Sequence, residues 1–174
     1  MMQEDRYTEA AEHFGAIAQK YCDVVDSASN LEKRELLAQV YEILPALIDA
    51  AIRLPLPNNI EDDSEEKVNE GSVQTHPTRM NGDSWHKLYG SLKERLGDAD
   101  LYWMVFDAVK GTEAIRGSLA DDIADIYRDL KEGLAFKNKG SLQDAIWEWH
   151  FGFDSHWGHH AIGALKAIHD IRNY

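Results

Sequence analysis

The stretch that decides the fold runs from Ser118 to Ile171, SLADDIADIYRDLKEGLAFKNKGSLQDAIWEWHFGFDSHWGHHAIGALKAIHDI. Ser118 with Asp121, and Ser141 with Asp144, each place a hydroxyl at a helix start and an acid three residues on. That is close to the capping-box pattern and favourable to the helix dipole. After the first signal, Leu119, Ile123, Ile126, Tyr127, Leu130 and Leu134 recur every three or four residues, one face of an amphipathic helix that Asn138, Lys139 and Gly140 break. After the second, the pattern predicts a helix from Leu142 to about Arg172, roughly 45 Å long at 1.5 Å per residue. Its bulky residues divide between two faces. Trp147, His150, Asp154, Trp157, Ala161 and Ile168 share one; Trp149, Phe153, His156, His160 and Ala167 share the other. A helix with two such faces is expected at the centre of a bundle.

Upstream, Tyr7, Ala10, Phe14, Ile17, Tyr21 and Val24 mark a first helix. Asn30 is the expected N-cap of a second, whose stripe runs from Leu37 to Ala51, with a kink expected at Pro45 and an end at Pro55 and Pro57. A third is expected from near Ser84 to Gly97. LYWMVF at 101–106 is apolar throughout; with no second strand candidate nearby, it is expected to be a buried, irregular extended segment. Residues 55–82 hold three of the four prolines and the acidic run Glu61–Glu70, and read as a mobile acidic loop. The expected architecture is a single domain over residues 1–174. It is an all-α antiparallel bundle of about five helices, with the long loop between helices two and three.

Composition narrows the function classes. A formal net charge of −13 opposes nucleic acid and anionic membranes and favours cations or a basic protein partner. Cys22 is the only cysteine, so one chain builds neither a disulfide nor a thiolate cage, which fits a reducing compartment. The N-terminus lacks an apolar signal core and no apolar run approaches the length of a membrane span, so a cytoplasmic location is expected. Oligomeric state is not encoded in these features.

Two patterns bear on chemistry. His156 and His160 are four apart, the helical spacing at which two imidazoles share one metal ion. Asp122, Asp125, Asp129 and Glu132 form an acidic stripe at three- and four-residue intervals; such like-charge pairs each cost a few tenths of a kcal/mol. One reading is a solvated face beside hydrogen-bonded core histidines. The other turns Asp122 and Asp129 toward His156 and His160, a mixed carboxylate and imidazole site suited to zinc, manganese or iron. His150 and Asp154 are a second pair, with an orienting hydrogen bond the simpler role. No phosphate loop, dinucleotide fingerprint or nucleophile elbow is present, and no catalytic residue is assigned.

ADDIADIYRDLKEGL and WEWHFGFDSHWGHHAIGALKAIHDI resemble an uncharacterised family of bacterial all-helical proteins, a domain of unknown function. The resemblance implies a helical fold and a bacterial origin and names no reaction. HWGHHAIGAL is similar to the histidine motif of DinB-like metalloprotein bundles, which implies His156 and His160 as metal ligands, with His13 or His86 as a third. SLADDIADIYRDL looks like the second acidic motif of MazG-type nucleotide pyrophosphohydrolases, with Asp122 and Asp125 in the acidic positions and the paired-glutamate first motif missing. The leading expectation is a binding or regulatory bundle of unknown function. A divalent-metal enzyme centred on His156 and His160 comes next, then a MazG-like hydrolase.

Overall fold

In the computed structural model, which describes residues 2–55, 80–105, 109–111 and 113–173 and side chains from Tyr7 onward, Ser118 is extended and its hydroxyl accepts from Asp121 N at 3.3 Å. That cap opens α4 (Leu119–Asn138). Asp100 reinforces it, its carboxylate accepting from Ser118 Oγ and Ala120 N and its carbonyl from Leu119 N. The remaining helices are α1 (Met2–Asp26), α2 (Lys33–Ile52), α3 (Gly82–Leu96), α5 (Leu142–Gly152) and α6 (Gly158–Ile171). A π-helical turn at Phe153–Trp157 joins α5 to α6, so they form one run, and among the described residues the bundle has five helices and is all-α apart from one hairpin. No helix of the described residues is long and apolar enough to cross a membrane.

Several local expectations change. Residues 101–105 are not an irregular segment: β1 (Leu101–Val105) pairs antiparallel with β2 (Ala114–Ser118), Trp103 opposite Arg116. Nor is it buried throughout, because alternate strand residues point to opposite sides and Leu101, Trp103 and Val105 face out. Asn30 lies in a short 3-10 turn, and Glu32 occupies the N-cap of α2 without a side-chain cap bond. α2 runs through Pro45 as one element, and α3 is capped by Asn81, whose side chain accepts from Ser84 N. Ser141 stands at the N-cap of α5 but makes no cap hydrogen bond. The expected acidic loop falls almost wholly on residues 56–79, outside the described residues.

The central helix is α4, not the last one: it packs on α1, α3, α5 and α6. Its apolar side, Leu119, Ile123, Ile126 and Leu130, is fully buried with Phe14, Tyr21, Trp149 and Trp157. Gly133 permits the close approach of α5, since a Cβ there would lie 2.1 Å from Trp149 Nε1. The π turn undoes the simple two-face division of the last helix. Its wider ring rotates everything downstream, and Trp157 Nε1 donates to Trp149 O at 3.1 Å. Trp149 and Trp157 are therefore both fully buried, whereas Trp147 is 38% exposed beside Phe151.

Candidate metal centre

On α4, Asp122, Asp125 and Asp129 stand at i, i+3 and i+7 and so project from one side of the helix. The antiparallel π turn and α6 bring His156 and His160 against them. His156 Nδ1 lies 2.7 Å from Asp129 Oδ2, and His160 Nδ1 lies 2.8 Å from Asp122 Oδ1. An ionised carboxylate only accepts, so each Nδ1 carries a proton, and in the neutral form of each imidazole Nε2 keeps its lone pair. Both Nε2 atoms converge on a single oxygen, Asp125 Oδ2, at 3.7 Å from His156 and 3.5 Å from His160.

Each carboxylate is itself held. Asp125 Oδ1, the oxygen facing away from the histidines, accepts from Trp85 Nε1 at 2.8 Å and pairs with Arg128 at 2.9 Å. Arg128 also reaches Asp129 Oδ1, at 3.3 Å. Tyr102 OH donates to Asp122 Oδ2 at 2.7 Å. Gly117 and Gly163 make room for Tyr102: a Cβ on Gly117 would lie 2.6 Å from its ring carbon Cζ, and one on Gly163 would lie 2.8 Å from its hydroxyl. The three carboxylates are buried and both histidines are partly exposed, so the centre opens to solvent on its imidazole side.

The electrostatics follow from this burial. Desolvation raises the Asp122 carboxyl above its ordinary value, partly offset by the hydrogen bonds from His160 and Tyr102. Burial alone would lower His160, but the Asp122 hydrogen bond and the charges of Asp122, Asp125 and Asp121 outweigh it and raise the imidazole. Asp122 and His160 thus shift the same way, toward a pair that retains a proton. On His160 the extra proton belongs on Nε2, facing Asp125.

The four residues expected to ligate, His156, His160, Asp122 and Asp129, are brought together, though both expected aspartates lie against Nδ1. Asp125, which the stripe pattern included but the expected ligand set did not, lies against Nε2. Among the described residues, two groups have donor atoms all within 4.8 Å of one another: Asp125 with His156 and His160, and Asp121 with Asp122 and His160. Neither includes His13 or His86. His13 is exposed on α1, and His86 is exposed with Nδ1 2.7 Å from Gly82 O. His150 and Asp154 form a separate pair at 3.5 Å, and His169 contacts Tyr41 OH. Glu132 is buried further along α4. Trp85 and Tyr102 carried no sequence signal for this site, because their periodicity or hydropathy reads only as packing.

A family model described as Domain of unknown function (DUF5063) matches residues 5–173, and the chain belongs to that family. A comparison with curated proteins finds no match. Among solved structures, the chain is similar to the crystal structure of protein BF1032 from Bacteroides fragilis, a structural-genomics target. The TM-score is 0.71 at 23% identity, covering 92% of this chain and 90% of that one. At that identity the likeness speaks for the fold alone.

Proposed function

We propose that this member of a family of unknown function is a divalent-metal enzyme whose ion is held by His156 Nε2, His160 Nε2 and Asp125 Oδ2. On this reading Asp129 and Asp122 are orienting carboxylates rather than ligands. They fix the Nδ1–H tautomer and aim each Nε2, the outer-sphere arrangement that accompanies metal-bound histidine. Trp85 and Arg128 do the same for Asp125 by occupying Oδ1 and leaving Oδ2 free. The observation that carries the reading is the pair of Nε2 separations from Asp125 Oδ2, 3.5 and 3.7 Å. Ligands about 2.1 Å from a tetrahedral ion are about 3.4 Å from one another, so the donors need only small movements to close on a cation. Two histidines and a carboxylate with the remaining positions open suit iron, manganese or zinc.

A bound ion of this kind supplies Lewis acidity, polarising a substrate oxygen or lowering the pKa of a water. The chain's own contribution is positional. Buried carboxylates hold the imidazoles, Tyr102 holds Asp122, and the exposed imidazole side admits the substrate. The buried Cys22, its thiol pushed up to about 12 chiefly by burial, remains an inert thiol and fits a cytoplasmic setting.

The test is elemental analysis of protein purified without an affinity nickel column, followed by chelation and titration with zinc or manganese. About one equivalent should bind to the parent and none to His160→Ala, with the helical signal kept in both. Less than about a tenth of an equivalent in the parent, unchanged by added metal, would overturn the proposal.

A further inference from the structure

The hairpin register puts Tyr102, Met104, Ile115 and Gly117 on one face of the two strands, and Trp103 with Arg116 on the other. The first face turns toward α6, because a Cβ on Gly163 would lie 2.8 Å from the Tyr102 hydroxyl. On α6, His159, Ile162, Gly163 and Lys166 stand at i, i+3, i+4 and i+7 and so share a side. These two surfaces line one groove, about 1780 Å³ in all, which Asp121, Asp122 and His160 also line. The groove is therefore continuous with the candidate metal centre.

Its walls are apolar and open to solvent. Ile115 is 44% exposed and Ile162 is 56% exposed, with Tyr102 and Met104 half-buried on the hairpin face. The two acids beside the centre are held differently. Asp122 is satisfied by Tyr102 and His160. Asp121 lies within 4.8 Å of donor atoms of Asp122 and His160, yet among the described residues it has no lysine, arginine or histidine within salt-bridge distance. Its carboxyl is raised above the ordinary value by desolvation first and then by the charge of Asp125. The cations that line the groove are engaged or placed elsewhere. Lys33 and Lys166 pair with Asp98 and Asp170, and Arg116 belongs to the opposite face of the hairpin. Arg34 stands in the first turn of α2, and Arg172, about 13 Å along α6 from Gly163, lies over the Tyr41 ring.

We propose that this groove binds a primary amine carried on an apolar body, with the ammonium group against Asp121 and the body against Met104, Ile115 and Ile162. This names a substrate class for the metal reading above and rests on it for the reaction, though not for the binding. Recognition is a local ion pair rather than an overall potential, since the groove carries charges of both signs. A charge-assisted hydrogen bond is roughly twice as strong as a neutral one, which favours the amine over an alcohol of the same shape. A carboxylate in that place would meet Asp121 as a like charge. A bound divalent ion does not reverse the preference, because Asp121, Asp122, Asp125 and Asp129 together outweigh the ion and Arg128.

The probes are phenethylamine, phenethyl alcohol, phenylacetate and methylamine, titrated by calorimetry into manganese-loaded and metal-free protein. Phenethylamine should bind most tightly of the four to both forms. Asp121→Asn should weaken it about tenfold and leave phenethyl alcohol unchanged. Ile162→Ser, at an exposed position where folding is little affected, should weaken phenethylamine while leaving methylamine unchanged. Both variants should keep the parent's manganese stoichiometry, because neither residue is among the proposed ligands. Phenethyl alcohol or phenylacetate binding as tightly as phenethylamine, or phenethylamine insensitive to Asp121→Asn, would overturn the assignment. So would a parent that takes up two equivalents of manganese and loses one in Asp121→Asn, which gives Asp121 to a second ion. Uptake of one equivalent without phenethylamine binding removes the groove proposal alone. Phenethylamine binding to a protein that takes up no manganese supports the groove and removes the metal reading.

Discussion

On one side of α4, Ile123, Ile126 and Leu130 are withdrawn from water among apolar neighbours; on the other, Asp122, Asp125 and Asp129 are only 5%, 7% and 8% exposed, among imidazole, indole, phenol and guanidinium groups. The two sides are buried to nearly the same degree by opposite chemistry. Burial of each large apolar side chain stabilises by roughly 1.5–3 kcal/mol. Burying carboxylates has a desolvation cost that their partners at best offset, and well-packed apolar residues often serve stability equally well or better. A bundle selected only for stability has no need of three buried aspartates there. The first side makes the fold, while the second side uses the rigidity of the first to hold charged groups in fixed positions.

The sharpest way to break this division is to disturb each side and measure both stability and metal affinity. Trp149→Ala, on the apolar side, removes a fully buried ring packed on Phe14 and Gly133. It should cost about 3–5 kcal/mol in chemical denaturation of the metal-free protein. Asp125→Asn should leave metal-free stability within about 1 kcal/mol of the parent, yet lower zinc affinity by more than about 100-fold in a competition assay. A loss of stability comparable to that of Trp149→Ala would mean that Asp125 belongs to the scaffold after all. Asp129→Asn keeps the shape but loses the charge that orients His156, so a smaller drop, about 10- to 100-fold, should appear in the same assay.

The subtlest of these predictions concerns pH. His160 and Asp122 are both raised in the folded state. Each therefore contributes stability that is present below its unfolded pKa and lost as pH rises through its folded pKa. Metal binding instead requires His160 to be neutral, so it strengthens over the upper part of the same range. The difference in melting temperature between zinc-loaded and metal-free protein should widen from about pH 6 to 8. A constant or narrowing difference would argue against His160 as a ligand.

The helices themselves were largely legible. Their signals are local: a cap at Ser118, a stop near Gly140, and apolar residues at helical spacing. LYWMVF was misread because its partner, Ala114–Ser118, contains a glycine and an arginine and no clear alternation, so the pairing exists only across the turn. The π turn at Phe153–Trp157 left no readable mark, and with it went the division of the tryptophans. At the site, the spacings of His156 with His160 and of Asp122, Asp125 and Asp129 placed five groups on two helix faces. Which carboxylate stands before Nε2 and which behind Nδ1 depends on the rotation of α4 against α6, and one sequence does not contain that angle. Trp85 and Tyr102 reach the centre from α3 and β1, where nothing nearby in sequence points to it.

Side-chain ¹H–¹⁵N correlation spectra of histidine-labelled protein distinguish a ligating Nε2 from a ligating Nδ1. On titrating zinc into chelator-treated protein, the Nε2 resonances of His156 and His160 should move to metal-ligated positions while both Nδ1–H signals persist, with the other histidines unchanged. Ligation through Nδ1, or spectra that do not change at one equivalent of zinc, would contradict the account.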